Sequence, residues 1–247
     1  MIKIANSWDE TFVDQYIALK DITKEGFYES RLEVLSILSD TLSDDDIWQD
    51  MFESDLSKMI SELGWLKREP TQDFSNEIDN LFIIDINTLK FGEFIDLEYY
   101  FNENYINNLP TICAILYRKT KVDEWNNIIY EPYNYDITKR AKLFYELPIT
   151  KVYGVIKYYL DFKKNITSQY DYIFEPIFDE EDIDGDNEYD EEDIEQEKAE
   201  ELNKKWGWER VLYNLANEDI TKYDNILEMP VIFIFNQLSF IKDIQKN

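Results

Sequence analysis

Residues 179–201 form an acidic segment that a protein core cannot bury. These 23 residues hold 15 Asp or Glu side chains and one Lys, a net charge of −14. The whole chain of 247 residues has a net charge of −28, so half of the imbalance lies in this segment. Burying so many carboxylates without partners would cost more free energy than folding returns. The segment is therefore predicted to be a solvated acidic insertion, and the core must come from the sequence on either side of it.

The same segment contains a near-match to a calcium-binding loop. Glu180, Asp182 and Asp184 stand at ligand positions 1, 3 and 5, a glycine follows at position 6, and Glu191 stands at position 12. Position 1 is usually Asp, position 8 is an asparagine where an aliphatic residue is usual, and the preceding sequence is extended in character. The favoured interpretation is an acidic loop without bound metal, and the four carboxylates remain the alternative calcium site.

Composition excludes several classes of chemistry. Hydrophobic residues make up 44% of the chain and aromatic residues 16%, which is enough for a sizeable core. The absence of histidine excludes Ser-His-Asp and Cys-His catalysis and most zinc sites. Cys113, the only cysteine, lies in an apolar run and is predicted to be a core thiol of a protein from a reducing compartment. No signal peptide or membrane span is predicted, so we expect a soluble protein that is not exported.

Apolar residues at helical spacing predict a mainly α fold. We expect a multi-helix, bundle-like architecture with at most a short strand or hairpin and one acidic loop insertion. The strand candidate is Leu81–Ile86, and the stretch that contains Trp125 is expected to be a loop. Helix-start signals are the Ser7–Glu10 capping box and Pro110, and Gly64 is a candidate C-cap.

The chain is predicted to divide into three parts. Residues 1–66 form an N-terminal helical region, and residues 81–165 plus 202–247 form a central helical domain. The acidic insertion or linker, residues 166–201, interrupts that domain, because the helices after it are too apolar to stand alone.

Two further groups of residues are candidates for functional sites. Clustered carboxylates (Asp85, Glu93, Asp96 and Glu98) are the residue types that hold Mg²⁺ or hydrolyse glycosides, but acids make up a fifth of the chain and no catalytic motif accompanies them. Neighbouring aromatics (Phe91, Phe94, Tyr99, Tyr100 and Phe101) resemble a stacking platform for single strands, but no basic groove is indicated, so core packing is favoured. No catalytic residue and no cofactor are predicted.

Several stretches carry a distinctive order of apolar and aromatic positions. They are 88-TLKFGEFIDLEYYFNENYINNLPTICAILYR-118, 138-TKRAKLFYELPITKVYGVIKYYLDF-162 and 208-WERVLYNLANEDITKYDNILEMPVIFIFNQLSFIKD-243. This order resembles small helical proteins of tailed-bacteriophage structural modules, of the T-even baseplate-hub and tail-assembly-chaperone type, and virion-associated proteins of crass-like phages. The resemblance covers less than half of the chain and carries no catalytic residue.

The resemblance implies a non-enzymatic virion structural or assembly protein that acts through protein–protein contacts in the tail, baseplate or head–tail region. The expected partners are other phage structural proteins, with homo-oligomers as a further option, and no direct binding to nucleic acid or membrane. The expected location is the host cytoplasm during assembly, the virion, or both. Alternatives are a virion cargo protein, an acidic DNA mimic or inhibitor, and a metal-dependent enzyme.

Overall fold

The computed structural model describes residues 3–22, 30–39, 53–133, 136–170 and 207–245. Within these ranges the chain is mainly helical and adds two small antiparallel sheets, so the predicted fold class is confirmed. The chain groups into two compact units, Met1–Ile86 with Leu97–Phe162 and Asn87–Asp96 with Lys163–Asn247. The three-part division predicted from the sequence follows other boundaries and stays a prediction.

The helices of the described ranges are α1 Val13–Ile22, α2 Arg31–Leu38, α3 Glu53–Glu62, α4 Phe91–Asn104, α5 Leu109–Leu116, α6 Ile137–Tyr145, α7 Gly154–Gln169, α8 described over 207–215, α9 Tyr223–Leu227 and α10 Val231–Gln245. The strands are β1 Glu77–Ile78, β2 Leu81–Ile83, β3 Tyr117–Arg118, β4 Thr120–Val122 and β5 Ile128–Tyr130. The predicted strand at Leu81 is confirmed over its first three residues, and Pro110 lies in the first turn of α5, as predicted.

Two predicted helix ends differ from the observed ones. Ser7 makes no capping hydrogen bond; a 3₁₀ turn follows it, and α1 begins only at Val13, where the Gln15 side chain accepts a hydrogen bond from the Phe12 N–H (2.9 Å). Gly64 does not terminate a helix, because α3 ends at Glu62 and a 3₁₀ turn spans Leu63–Lys67. In both places a short 3₁₀ turn adjoins the α-helix, and apolar spacing alone does not separate the two.

Helix α5 is the centre of the first unit. All of its residues except Thr111 are buried, which its uniformly apolar sequence explains. Its C-terminal carbonyls accept hydrogen bonds from two buried arginines: Arg140 Nε donates to Ala114 O (2.7 Å) and Arg118 Nε donates to Ile115 O (2.9 Å). Positive charge at this end of a helix is favourable, since the macrodipole is negative there. Burial, together with the neighbouring Arg118, lowers the pKa of Arg140.

The three-stranded sheet of the first unit has the order β1–β2–β3, with antiparallel pairing throughout. Asp79 and Asn80 connect β1 to β2, and both have positive φ angles (47° and 64°). A two-residue connection of this kind fits the twist of a hairpin, and Asp and Asn are among the residues that tolerate it. Strand β3 follows α5 directly, so the sheet is fixed to the buried helix.

The N-terminal helices of the first unit share a hydrophobic cluster. Its buried members come from α1, α2 and the segments around them: Ala5, Leu19, Ile22, Val34, Leu35, Leu38 and Leu63. Trp8 and Trp65 pack against it, with ring centroids 4.8 Å apart in an edge-to-face arrangement. Helices in the N-terminal third, as the apolar spacing predicted, therefore share one hydrophobic cluster.

The second unit is organised around an aromatic cluster. The Trp208 ring on α8 lies 4.9 Å from the Phe94 ring and 5.7 Å from the Phe235 ring, centroid to centroid. An antiparallel bridge between Lys90 and Pro230 fixes the start of α4 beside the start of α10. There the Phe91 N–H donates to Met229 O, and the Val231 N–H donates to Leu89 O. The predicted C-terminal amphipathic helices are thus observed, packed by large aromatic rings.

Candidate functional site

A β-hairpin of the first unit exposes an unusual amount of apolar side chain. Strands β4 and β5 pair antiparallel, with Thr120 opposite Tyr130, Lys121 opposite Ile129 and Val122 opposite Ile128. Residues directly opposite one another share a face of the ladder. One face therefore carries the aliphatic pair Val122 and Ile128, and the other carries Ile129 beside an ammonium group.

The loop of this hairpin is held by the carboxylate of Asp123. Oδ1 accepts hydrogen bonds from the backbone N–H groups of Trp125 (2.9 Å) and Asn127 (2.7 Å), and Oδ2 accepts one from the Asn127 side-chain amide (2.9 Å). The loop closes with the Asp123 N–H donating to Asn127 O, and Asn126 is left-handed with φ of 65°. The hydrogen bonds from Asn127, followed by that from Trp125, lower the pKa of Asp123.

The fixed loop presents Trp125 to solvent. Its side chain is 79% exposed, and Val122, Ile128 and Ile129 are 61%, 64% and 44% exposed. A two-stranded hairpin is only marginally stable in water, so the Asp123 network contributes to keeping the backbone in one conformation. Clustered exposed apolar residues mark interaction surfaces, and tryptophan is enriched among the residues that dominate binding energy. We call Val122, Trp125 and Ile128 the hairpin patch.

The loop expected around Trp125 is observed, but the strands on either side of it were not predicted. Each strand has only three residues, and the loop lacks the Asn-Gly or Asp-Gly pair that marks the tightest hairpins. The usable signal is weaker: two short β-branched runs flank a stretch that begins with Asp and ends with two Asn residues.

The clustered carboxylates do not assemble into one site. Glu93 is buried and accepts a hydrogen bond from the Lys90 N–H (3.1 Å) at the start of α4. Glu98 is also buried and accepts one from the Tyr159 hydroxyl (2.8 Å). Five positions correspond to about 140° around a helix, so these two side chains lie on different sides of α4. Asp96 is half-buried and Asp85 is exposed.

The clustered aromatics also serve different places. Phe91 and Phe94 are fully buried, as core packing predicts. Phe101 stacks on the buried Tyr159 with ring centroids 4.6 Å apart, whereas Tyr99 is 61% exposed and lies edge-on to Tyr100. The Cys113 thiol is fully buried, and burial raises its pKa, which confirms a core thiol.

In the first unit, the carboxylate of Glu69 connects side chains from separate parts of the chain in one polar cluster. Glu69 Oε2 accepts hydrogen bonds from the hydroxyls of Tyr16 (3.2 Å) and Tyr153 (3.1 Å), and Oε1 accepts one from Lys20 Nζ (2.6 Å). The Lys20 ammonium also lies 5.4 Å from the centroid of the Tyr16 ring. Every group in this cluster is satisfied from within the chain, so its geometry is that of a structural contact.

The calcium-loop candidates Glu180, Asp182, Asp184 and Glu191 lie outside the described residues. In the ranges that are described, no group of three or more Cys, Asp or Glu residues is arranged to hold a metal ion. None of the described helices combines the length and the apolar character that a membrane crossing requires. Comparison with protein-family models, curated proteins and solved structures found no match to this chain.

Proposed function

We propose that this chain is a non-enzymatic structural or assembly protein of a tailed-phage particle that acts through protein–protein contacts. The observation that supports the contact mechanism is the hairpin patch, with Trp125 79% exposed at the end of a hydrogen-bonded loop. The assignment to phage tail, baseplate or head–tail proteins is supported by the resemblance of residues 88–118, 138–162 and 208–243. In this role the hairpin patch inserts into an apolar cleft of another particle protein.

The charge of the chain favours a protein partner over nucleic acid. A net charge of −28 repels phosphate backbones, whose binding depends on neutralisation by Lys and Arg. Trp125 follows Asp123 and Glu124 directly, so insertion of the tip into a bilayer would bring two carboxylates with it. A protein cleft can accept the indole and leave both carboxylates at the solvated rim.

The test combines purified particles with a hairpin variant. For a structural role, we expect mass spectrometry of purified particles of the phage that encodes this chain to find it at a fixed ratio to the structural proteins. For an assembly role, we expect it to be found bound to a tail protein in infected cells. The double variant W125A/I128S should reduce that association at least tenfold, since truncated central residues dominate binding. The matched control is Leu143→Ser, because Leu143 is also exposed (45%) but lies on α6, outside the hairpin patch. Absence from both particles and complexes with phage structural proteins would contradict the proposal.

The acidic segment supports a second candidate, an inhibitor that imitates DNA. Fifteen carboxylates within residues 179–201 resemble the charge density of a phosphate backbone. This candidate predicts competition with DNA for a basic protein, lost when residues 179–201 are deleted and unaffected by W125A/I128S. A cargo role instead predicts that the chain is packaged in particles and that W125A/I128S leaves its packaging unchanged.

A further inference from the structure

The C-terminal helix α10 is apolar on two opposite sides. One side packs within the second unit, where Phe235 lies 5.6 Å from the Tyr170 ring and 5.6 Å from the Phe94 ring, centroid to centroid. The buried residues of this side include Val231, Ile234 and Phe235. At about 100° per residue, positions 233, 240 and 244 fall within about 40° of one another, on the side opposite the buried one. Those positions hold Phe233, Phe240 and Ile244.

This outer side is exposed along three turns of the helix. Phe233 is 47% exposed, Phe240 is 59% exposed and Ile244 is 57% exposed, and Ile241 beside them is 40% exposed. Scattered apolar residues are normal on a protein surface, but two exposed Phe and one exposed Ile in a row along one side of a helix mark an interaction surface. We call Phe233, Gln237, Phe240 and Ile244 the α10 seam.

The spacing of the α10 seam indicates what covers it. Its members are separated by four, three and four positions, the alternation of four and three that places side chains along a helix-pairing surface. Large side chains at this spacing pack into the holes between the side chains of a facing helix. The occupant with matching geometry is therefore an α-helix that lies along α10.

Charge indicates which kind of helix this is. The α10 seam has no charged side chain, and the chain that presents it is strongly acidic. The net charge is −28, of which residues 179–201 contribute −14 and the rest of the chain the other −14. The protein is therefore acidic on balance even outside that segment. A basic partner is attracted, whereas a second copy, with its own net charge of −28, is repelled.

We infer that the α10 seam binds a basic amphipathic helix of a partner protein. This inference rests on the proposed function, since it makes the partner a protein, but it concerns a surface separate from the hairpin patch. A lipid surface fits less well, because a helix that lies on anionic lipid carries Lys or Arg beside its apolar face. On α10 the one such residue in the described chain, Lys242, is buried on the inner side.

The inference is tested with a defined probe. The probe is a 21-residue fluorescent peptide of three heptads, with Ile and Leu at the core positions and Lys or Arg elsewhere. Controls are a scrambled peptide of the same composition and a peptide with Glu in place of the basic residues. Binding is measured by fluorescence anisotropy to wild type, to F240S/I244S and to Leu160→Ser, a control whose exposed leucine (45%) lies on α7 outside the seam. Circular dichroism establishes that the variants remain folded.

We expect wild type to bind the basic heptad peptide at least tenfold more tightly than the scrambled or the acidic peptide. F240S/I244S should lose at least tenfold in affinity, Leu160→Ser should bind like wild type, and added salt should weaken binding. Equal binding by wild type and F240S/I244S, or of the ordered and scrambled peptides, would show that charge alone acts and would overturn the inference. So would a wild-type dimer by light scattering that F240S/I244S dissociates, or seam-dependent sedimentation with phosphatidylcholine–phosphatidylserine vesicles.

The peptide measurement does not depend on phage particles, so the two proposals fail separately. If the chain is found in particles but the ordered peptide does not bind the seam, the inference fails and the proposed function stands. If the peptide binds the seam but the chain is absent from particles and from complexes with phage structural proteins, the proposed function fails and the helix-binding surface stands.

Discussion

At Gly154 the first unit has no room for a side chain. A Cβ atom built on this residue would lie 2.3 Å from the backbone oxygen of Gln72 and 2.6 Å from the backbone of Asp73. The Gly154 N–H donates a hydrogen bond to Asp73 O (2.9 Å), which holds the start of α7 against that segment. Because the opposing atoms are backbone, they cannot move aside as a flexible side chain would.

We therefore predict that Gly154→Ala destabilises the protein by about 2 kcal/mol or more, as overpacked sites do. Elsewhere in a helix the same change is favourable by about 0.5–1 kcal/mol, because alanine has the higher helix propensity. Gly64→Ala is the matched control, since nothing lies within 4 Å of its added Cβ. Urea denaturation of both variants and wild type measures the difference, and equal stability of the two variants would contradict the packing argument.

Glu69 links a protonation state to stability. Partial burial on its own raises the pKa of Glu69, but hydrogen bonds from Lys20, Tyr153 and Tyr16 outweigh it and hold that pKa below its usual value. A carboxyl whose folded-state pKa is depressed contributes stability above its unfolded pKa, and the contribution is lost as pH falls through the folded pKa. The contribution is modest, because the Glu69 side chain is 57% exposed and its ion pair is screened by solvent.

Glu69→Gln should accordingly destabilise the protein by about 0.5–1 kcal/mol at neutral pH, a range typical of partly exposed charged contacts. The difference in stability between wild type and variant should shrink as pH falls towards 3, because a larger fraction of Glu69 is then protonated in the folded state and its charged contact is lost. Denaturant titrations at pH 7 and pH 3 measure this. A difference that is as large at pH 3 as at pH 7 would show that shape, and not charge, makes Glu69 matter.

At the scale of elements, the sequence predicts helices much better than strands. In long helices such as α7 and α10, apolar residues recur at helical spacing over several turns, which is the pattern that predicts a helix. Strands β1, β3, β4 and β5 have only two or three residues, too few for an alternating pattern to be recognised. Their positions depend on turns and, for β3, on pairing with β2 between residues such as Phe82 and Arg118 that are distant in sequence. The hairpin patch was missed for this reason, although each of its residues was visible in the sequence.

Asp123 illustrates how one side chain supports an element. Replacing it with alanine removes the acceptor of three hydrogen bonds within the β4–β5 loop. We expect Asp123→Ala to accelerate amide hydrogen exchange at Trp125 and Asn127, while the free energy of global unfolding changes by no more than about 1 kcal/mol, since the hairpin is exposed. Glu124→Ala is the control, because Glu124 adjoins the loop and is exposed. Unchanged exchange in Asp123→Ala would mean that the hairpin does not need this network.

At the scale of the whole molecule, the acidic segment, residues 179–201, contributes much of the net charge and is expected to contribute little to the fold. Deleting residues 179–201 removes half of the net charge of −28 and few apolar side chains. We expect circular dichroism to show nearly the same helical content and the melting temperature to stay almost the same, because the segment offers little to a core. The control is a shorter deletion, of residues 179–195 only. It keeps residues 196–206, which connect to Trp208. Collapse of the fold in both deletions would show that the segment is structural.

Buried tyrosines limit the stability of the folded protein at alkaline pH. Burial raises the pKa of tyrosines in the first unit, among them Tyr16, Tyr117, Tyr153, Tyr158 and Tyr159. Because the pKa of these tyrosines is raised in the folded state, the stability that they contribute is fully present below their unfolded-state pKa of about 10. That stability is lost as pH rises above this value. Phenols exposed to solvent ionise without unfolding.

We therefore predict two phases in an alkaline titration of the 18 tyrosines, followed by tyrosinate absorbance at 295 nm. The first phase, near pH 10, belongs to exposed phenols and leaves near-ultraviolet circular dichroism unchanged; the second coincides with loss of that signal. Tyr117→Phe should reduce only the second amplitude, because the Tyr117 hydroxyl is enclosed and donates to Ser75 O. A single phase near pH 10 with the tertiary signal intact would show that these hydroxyls are accessible to solvent, and the packing of the first unit would have to be revised.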